Sequence, residues 1–249
     1  MPLNISGSVI TGGIAKVSNY KSVITRGLVM YLEGGAAESI PETGSNWNDI
    51  ANNYGGYLTN GAAYNSAGSG SIYFDGSDDY VAFSGTTGIL NGLSAATMNM
   101  WINITRKGGG GSQFQQIAGW RDDVDADFFF LLLDSSGATV NTEARVRTTS
   151  GGPYDINANF VSYFGTWAYV SFVVDTSRMD LYVNGSVIGS NTSKTGTFST
   201  SNELRIGQNL SGLYSTLGNV ADFYVYNRAL AAAEVTQNYN AQKGRFGII

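Results

Sequence analysis

Residues 167–189 read Trp-Ala-Tyr-Val-Ser-Phe-Val-Val-Asp-Thr-Ser-Arg-Met-Asp-Leu-Tyr-Val-Asn-Gly-Ser-Val-Ile-Gly, and they decide the fold. Val170, Phe172 and Val174 fall on one side of an extended segment with Ser171 on the other, the alternation of a strand that buries one face. The polar turn Asp175-Thr-Ser-Arg178 follows. Beyond it Leu181 and Val183 take the inward side, while Asp180 and Tyr182 point away. Asn184-Gly185 then supplies a hairpin, because both residues tolerate the positive φ that a type I′ turn demands. Three strands and two turns are legible, and none of these residues has the pattern of a site.

Outward from this meander the chain reads as β structure throughout. Gly27-Leu-Val-Met-Tyr-Leu32 predicts a strand, and the irregular residues 33–53, with Pro41, Trp47, Asp49 and Ile50, follow it. Tyr57-Leu58 leads to the turn dipeptide Asn60-Gly61. Ser71-Ile-Tyr-Phe74, the turn Asp75-Gly-Ser-Asp-Asp79 and Tyr80-Val-Ala-Phe83 predict a hairpin. Residues 97–104 alternate, with Met98, Met100, Ile102 and Ile104 on one face and Thr97, Asn99, Trp101 and Asn103 on what reads as a polar one. Gly108 to Gly111 is a glycine-run connection. The apolar run Phe128-Phe-Phe-Leu-Leu-Leu133 is too short to cross a membrane and predicts a strand buried on both faces or covered at an oligomer contact. Glu203-Leu-Arg-Ile-Gly207 and residues 217–226 give two more strands. Residues 229–240 are rich in helix formers, and Ala231, Val235 and Tyr239 share one side at i, i+4 spacing. About a dozen strands and one short C-terminal helix predict an all-β sandwich of two packed antiparallel sheets.

Composition bounds what such a sandwich does. The chain has 249 residues, a hydrophobic fraction of 43% and no Pro-rich or charged linker, which fits one large β domain. A net charge of -5 without any Lys/Arg run argues against nucleic acid as a partner. Zero Cys and zero His remove disulfides, thiolate chemistry, Cys-ligated zinc and the commonest general base. No stretch has the form of a secretory signal or a membrane span, so neither secretion nor a membrane partner is expected, and the sequons at Asn103, Asn184, Asn191 and Asn209 carry little weight. Residues 1–26 scatter Ile5, Val9, Ile14, Val17, Val23 and Ile24 among polar residues without a period. They read as an ordinary first strand with a loose terminus or as an arm lying on a neighbouring subunit.

The order of these pieces resembles a known family. Ser71-Ile-Tyr-Phe-Asp-Gly-Ser-Asp-Asp-Tyr-Val81, the Trp-bearing strand 97–104, the meander 167–189, Leu204-Arg-Ile-Gly207 and Tyr224-Val-Tyr-Asn-Arg-Ala-Leu230 resemble the laminin-G-like jelly rolls of the concanavalin A-like superfamily, over roughly residues 27–240. Trp47-Asn-Asp-Ile50, Leu58-Thr-Asn-Gly61 and Gln237-Asn-Tyr-Asn-Ala-Gln-Lys-Gly-Arg-Phe246 are similar to the version common in tailed-bacteriophage structural proteins. The resemblance implies a jelly roll over residues 27–241, preceded by an attachment segment (1–26) and followed by a short tail (242–249). It further implies a virion component assembled in the host cytoplasm, a capsid decoration or tail module held by contacts with other virion proteins, or with copies of itself in a homo-oligomer. A lectin-like module binding a host-surface glycan in adsorption is the alternative. Two departures stand out: Ala221 occupies a position where the family usually has Asp, and Ala231 one where it often has a helix-capping Ser.

Candidate sites follow from side-chain chemistry. Asp75, Asp78 and Asp79 crowd one turn, which suits Asp's role in forming turns; they also suit a hard cation such as calcium, which many relatives of this fold bind. Asp123, Asp125 and Asp127 have EF-hand-like alternation, but Phe128 stands where that loop needs Gly, which leaves a looser cation site or a solvated acidic loop. Tyr54, Tyr57, Trp120, Tyr154 and Tyr214 are placed to stack on sugar rings or to serve in an interface. Catalysis has little support: Glu33, Glu38, Glu42, Glu143, Glu203 and Glu234 are the glutamates, and no two share a strand at the spacing a glycosidase pair needs. The sequence therefore predicts a non-enzymatic protein that requires no cofactor.

Overall fold

The computed structural model describes residues 23–40, 44–107, 112–121, 126–135 and 141–249. Among them run sixteen strands. The first eight are β1 (Leu28–Glu33), β2 (Asn46–Asn48), β3 (Gly55–Thr59), β4 (Ala63–Asn65), β5 (Ser71–Asp75), β6 (Tyr80–Phe83), β7 (Ala96–Ile104) and β8 (Ser112–Arg121). The rest are β9 (Ala126–Ser135), β10 (Asn141–Thr148), β11 (Gly151–Asn159), β12 (Ala168–Val174), β13 (Met179–Val183), β14 (Ser186–Asn191), β15 (Leu204–Ile206) and β16 (Leu217–Tyr226). One α-helix, α1 (Ala232–Gln242), continues into a 3₁₀ turn, Lys243–Phe246.

The strands form two antiparallel sheets of eight. Sheet A has the order β14-β13-β12-β7-β16-β5-β4, with β1 paired to β16, and sheet B the order β11-β10-β9-β8-β15-β6-β3-β2. Strands adjacent in each sheet come from distant parts of the chain, β7 beside both β12 and β16 for instance, so the topology is that of a jelly roll. The expected two-sheet sandwich with one short C-terminal helix is what the chain forms, with more strands than the dozen read from the sequence.

The decisive meander is β12, β13 and β14. Val170, Phe172, Val174, Leu181 and Val183 enter the core between the sheets. Asn184 and Gly185 both have positive φ, 51° and 80°, as a type I′ turn requires. Sheet B contributes Val81, Phe83, Trp120, Phe128, Phe130, Leu132 and Ile206 from the facing side. Burial of this apolar area, at roughly 25 cal/mol per Å², is the main stabilising contribution to the sandwich.

The outer face of β7 corrects one expectation. Thr97, Asn99 and Trp101 do not face water; all are fully buried beneath α1 and the turn after it. The Trp101 ring stacks on Phe246 at 4.1 Å and its Nε1–H donates to Gln242 Oε1 at 2.8 Å. Thr97 Oγ1 donates to the Arg228 carbonyl, and the Ser171 hydroxyl donates to Asn99. The helix lacks a hydroxyl cap at Ala231, and the Glu234 carboxylate substitutes by accepting the Ala231 N–H at 2.9 Å while pairing with Arg228. Val23 and Ile24 pack on this same cluster, with Ile24 tied through its N–H to Asn238 and through its carbonyl to the Tyr226 hydroxyl. Residues 1–22, the greater part of the expected arm, lie outside the described residues.

Candidate functional site

The two outer faces differ in their covering. That of sheet A is closed by α1, the 3₁₀ turn and residues 23–24, which enclose Trp101, Tyr169, Tyr224 and Tyr226. That of sheet B carries no helix among the described residues. Strand register lines up one outward position from each of its eight strands. Asp155 pairs with Arg145, Arg145 with Phe129, Phe129 with Gly119, Gly119 with Arg205, Arg205 with Ala82, Ala82 with Tyr57, and Tyr57 with Asn46. At the usual interstrand spacing this row is about 34 Å long. Each member alternates along its strand with core residues such as Val146, Phe128, Trp120 and Val81, which is why the row faces outward.

Side chains in the row and beside it form cation–aromatic pairs. The Arg121 guanidinium lies 4.4 Å from the Phe129 ring centroid and 4.8 Å from that of Tyr214, and Arg205 lies 4.1 Å from that of Tyr80. Arg145 donates to both oxygens of Asp155, at 2.5 and 3.0 Å, and pairs with Glu143 at 2.5 Å. Burial raises the Glu143 carboxyl pKa, and the Arg145 charge opposes that rise. Residues 207–216 fold back over this face. Arg205 Nη1 donates to the Asn209 carbonyl, and the Tyr214 carbonyl accepts the Gln116 N–H. Phe129, expected to lie in a strand buried on both faces, is fully buried on the outer side under this covering, with Phe114 and Tyr214 against it.

The aromatic candidates separate. Tyr57, in β3, is 56% exposed and stands in the row; Tyr214, at φ 61°, stacks on Arg121. Tyr54 is half-buried against the core, and the Tyr154 hydroxyl is hydrogen-bonded to Thr195 Oγ1 at 2.8 Å. Trp120 is a correction. Its outward neighbours in β8 are Gly119 and Arg121, while its own ring is fully buried, stacked on Phe128, with Nε1–H donating to the Thr86 carbonyl. Strand alternation puts it in the core, where no sugar reaches.

The acidic hairpin between β5 and β6 sits beside the covering loop, since the Ser215 hydroxyl donates to the Ser77 carbonyl at 2.6 Å. Asp75, Asp78 and Asp79 each offer a carboxylate oxygen within 4.8 Å of the others. Two of them also build the turn: Asp75 Oδ1 accepts the Ser77 N–H, and Asp79 Oδ2 accepts the Asp75 N–H. Asp79 is 1% exposed, and its Oδ1 is buried without a hydrogen-bond partner among the described residues. Burial raises the Asp79 pKa, the Asp75 N–H opposes the rise, and the charges of Asp75 and Asp78 add to it. Lys107 donates to the Gly76 carbonyl at 2.7 Å, occupying one oxygen that a calcium ion would otherwise take. Three carboxylates with one unpartnered buried oxygen fit a hard cation in charge and chemistry. Asp123 and Asp125 lie outside the described residues, and nothing is described of the Asp127 side chain.

A family model for the concanavalin A-like lectin/glucanases superfamily matches residues 74–236, more than half of the chain. No curated protein matches. Solved structures are similar in fold. The botulinum neurotoxin serotype D ligand binding domain, in complex with N-acetylneuraminic acid, has a TM-score of 0.64 at 13% identity, covering 87% of this chain and 51% of that one. The binding domain of Paraclostridial Mosquitocidal Protein 1 has a TM-score of 0.64 at 16% identity, with coverage of 86% and 52%. Trypanosoma rangeli sialidase, in complex with the inhibitor DANA, has a TM-score of 0.63 at 16% identity, with coverage of 90% and 34%. The chain therefore spans about half the length of these toxin domains and about a third of the sialidase.

Proposed function

The chain belongs to the concanavalin A-like lectin/glucanases superfamily, and from that premise we propose that it is a non-enzymatic carbohydrate-binding module whose ligand face is the outer face of sheet B. The observation that carries this reading is the asymmetry of the sandwich. Sheet A's outer face is closed by its own chain, whereas sheet B, covered only in part by residues 207–216, presents a row of aromatic, cationic and small side chains across eight strands that ends in exposed Tyr57 and Asn46. Exposed Tyr57 supplies a stacking surface and Asn46 beside it an amide for sugar hydroxyls. The serotype D neurotoxin domain, similar in fold and solved in complex with N-acetylneuraminic acid, supports the reading by analogy. Against hydrolysis, Glu143 and Asp155 on this face are both paired with Arg145 rather than facing each other across a cleft.

The acidic hairpin completes the proposal with a calcium site at Asp75, Asp78 and Asp79. Calcium at millimolar concentration raises the melting temperature, as any ligand of the folded state does, and Asp78→Asn removes that rise. A glycan array probed with calcium and then with chelator tests both parts. Binding of at least one saccharide class is expected, and an array silent in both conditions contradicts the carbohydrate reading.

A second reading, the phage virion component, rests on the resemblance and on one structural feature. Residues 23–24 are fastened beside α1, on the sheet opposite the proposed ligand face. A segment leaving from there is able to hold the module to other virion proteins, or to copies of itself, with sheet B turned to a host-surface glycan. Deleting residues 1–22 should then abolish incorporation into particles; normal incorporation contradicts this reading.

A further inference from the structure

Three arginines of the sheet B face carry buried N–H donors with no acceptor among the described residues: Nε and Nη1 of Arg121, Nε of Arg147 and Nε of Arg205. Their neighbour Arg145 donates through Nε and Nη2 to both oxygens of Asp155 and lies 2.5 Å from Glu143, whose Oε1 makes no hydrogen bond among the described residues, so a missing acceptor is not shared by every arginine of this face. An arginine cannot shed its charge to relieve a missing partner, as a lysine or histidine does. A buried unpaired donor is therefore a standing destabilisation unless something else in the working protein supplies the acceptor. The covering side chains do not supply it. Arg121 is held between the faces of Phe129 and Tyr214, and Arg205 lies on Tyr80; the Asn209 carbonyl takes Nη1 of Arg205 but leaves its Nε without an acceptor among the described residues.

The local charge is opposite to that of the chain. The protein carries a net charge of -5, yet Arg121, Arg145, Arg147 and Arg205 gather on one face, where, among the described side chains, the paired Glu143 and Asp155 balance only part of their charge. Strand register brings two of the under-bonded arginines together. Arg205 is opposite Gly119, and Arg121 follows Gly119 by two residues on the same side of β8. Both stand in or beside the row that ends in Tyr57 and Asn46.

Resting on the carbohydrate reading above, we propose that this face selects an acidic saccharide, with Arg121 and Arg205 as the donors to its carboxylate and Tyr57 as the ring on which a neighbouring sugar stacks. The planar guanidinium fork matches a planar carboxylate through two parallel N–H···O bonds, and a stacked guanidinium turns in its own plane toward such a ligand without leaving its ring. Binding through the edge formed by Nε and Nη2 gives the Nε donors of Arg121 and Arg205 the oxygen they lack.

Titration calorimetry on the full chain with oligogalacturonate and with sialic acid oligomers tests this, beside neutral xylo-oligosaccharide and dextran sulfate. The carboxylate sugars should bind and weaken with added salt. Arg121→Gln and Arg205→Gln should each reduce affinity about tenfold or more. Arg178→Gln, on an exposed turn of sheet A, should leave affinity unchanged, and circular dichroism should report the same fold for all three. Neutral sugar bound in preference, with both face variants unaffected, overturns the acidic assignment while the carbohydrate reading stands. Dextran sulfate bound as tightly as the carboxylate sugars overturns the assignment to carboxylate. No saccharide bound at all overturns both.

Discussion

The guanidinium of Arg245 is 1% exposed and lies against both oxygens of Asp222, itself fully buried, at 2.7 and 2.9 Å. Its remaining donors reach the carbonyls of Gly68 and Gly70, both at 2.7 Å, so three separate segments close around one internal cation. Removing it leaves the Asp222 charge in a low-dielectric site, where an unpaired ion is strongly destabilising. Arg245→Met should lower stability by about 3–5 kcal/mol in urea denaturation. Asp222→Asn combined with Arg245→Met should lose less than the sum of the single changes, because the two groups act as a pair. A single-variant loss below about 1 kcal/mol would contradict this account. Glu33 belongs to the same network: burial raises its pKa, the Asp222 charge raises it further, and its bond from the Tyr31 hydroxyl opposes them. A carboxyl whose folded pKa is raised holds its proton more tightly when native. Its effect on stability is therefore most favourable at low pH and declines as pH rises from the unfolded value of about 4.3 through the folded one. Melting temperatures across that window should fall less steeply for Glu33→Gln than for the parent chain; identical slopes would refute the assignment.

At the scale of the element, α1 and its 3₁₀ turn act as a lid on sheet A rather than as a free helix. Phe246, 8% exposed, touches Trp101 at 4.1 Å and Trp167 at 4.8 Å between ring centroids. Phe246→Ala should cost about 3 kcal/mol and shift tryptophan fluorescence to the red as water reaches Trp101. An unshifted spectrum with parental stability would show that the turn is not docked in solution. The same element marks where the sequence stops being legible. Alternation in β7 and β12 states which side chains share a face, and that part of the reading holds for Met98, Met100, Phe172 and Val174. It does not state what covers the other face, and the polar set Thr97, Asn99 and Ser171 looks solvated until the partners on Arg228 and neighbouring strands are seen. Trp120 fails for a related reason: one residue of strand phase separates a stacking ring from a core ring. Arg121, Arg145 and Arg205 left no local motif at all, because pairing through β9, β8 and β15 brings them to one face.

On the scale of the whole molecule, the sandwich divides its labour between its sheets. Sheet A is sealed by the chain that precedes β1 and the chain that follows β16, with Tyr31 stacked on Tyr224 at 4.8 Å and Tyr226 bonded to Ile24. Sheet B carries a row with cations resting on rings, covered in its middle by residues 207–216 and exposed at Tyr57 and Asn46, and its acidic hairpin stands at the edge of that covering loop. The meander from Trp167 onward specified the scaffold, while the proposed ligand chemistry lies in outward positions of other strands and in residues 207–216. Amide chemical-shift mapping of the isotope-labelled chain, titrated with the saccharides above, tests the central claim most directly. Perturbed amides are expected to cluster at Tyr57, Ala82, Gly119, Arg121 and Arg205, with α1 and the hairpin at Asn184 silent. Perturbations centred on α1 or on the outer face of sheet A, or a spectrum that no saccharide changes, would contradict a ligand face on sheet B.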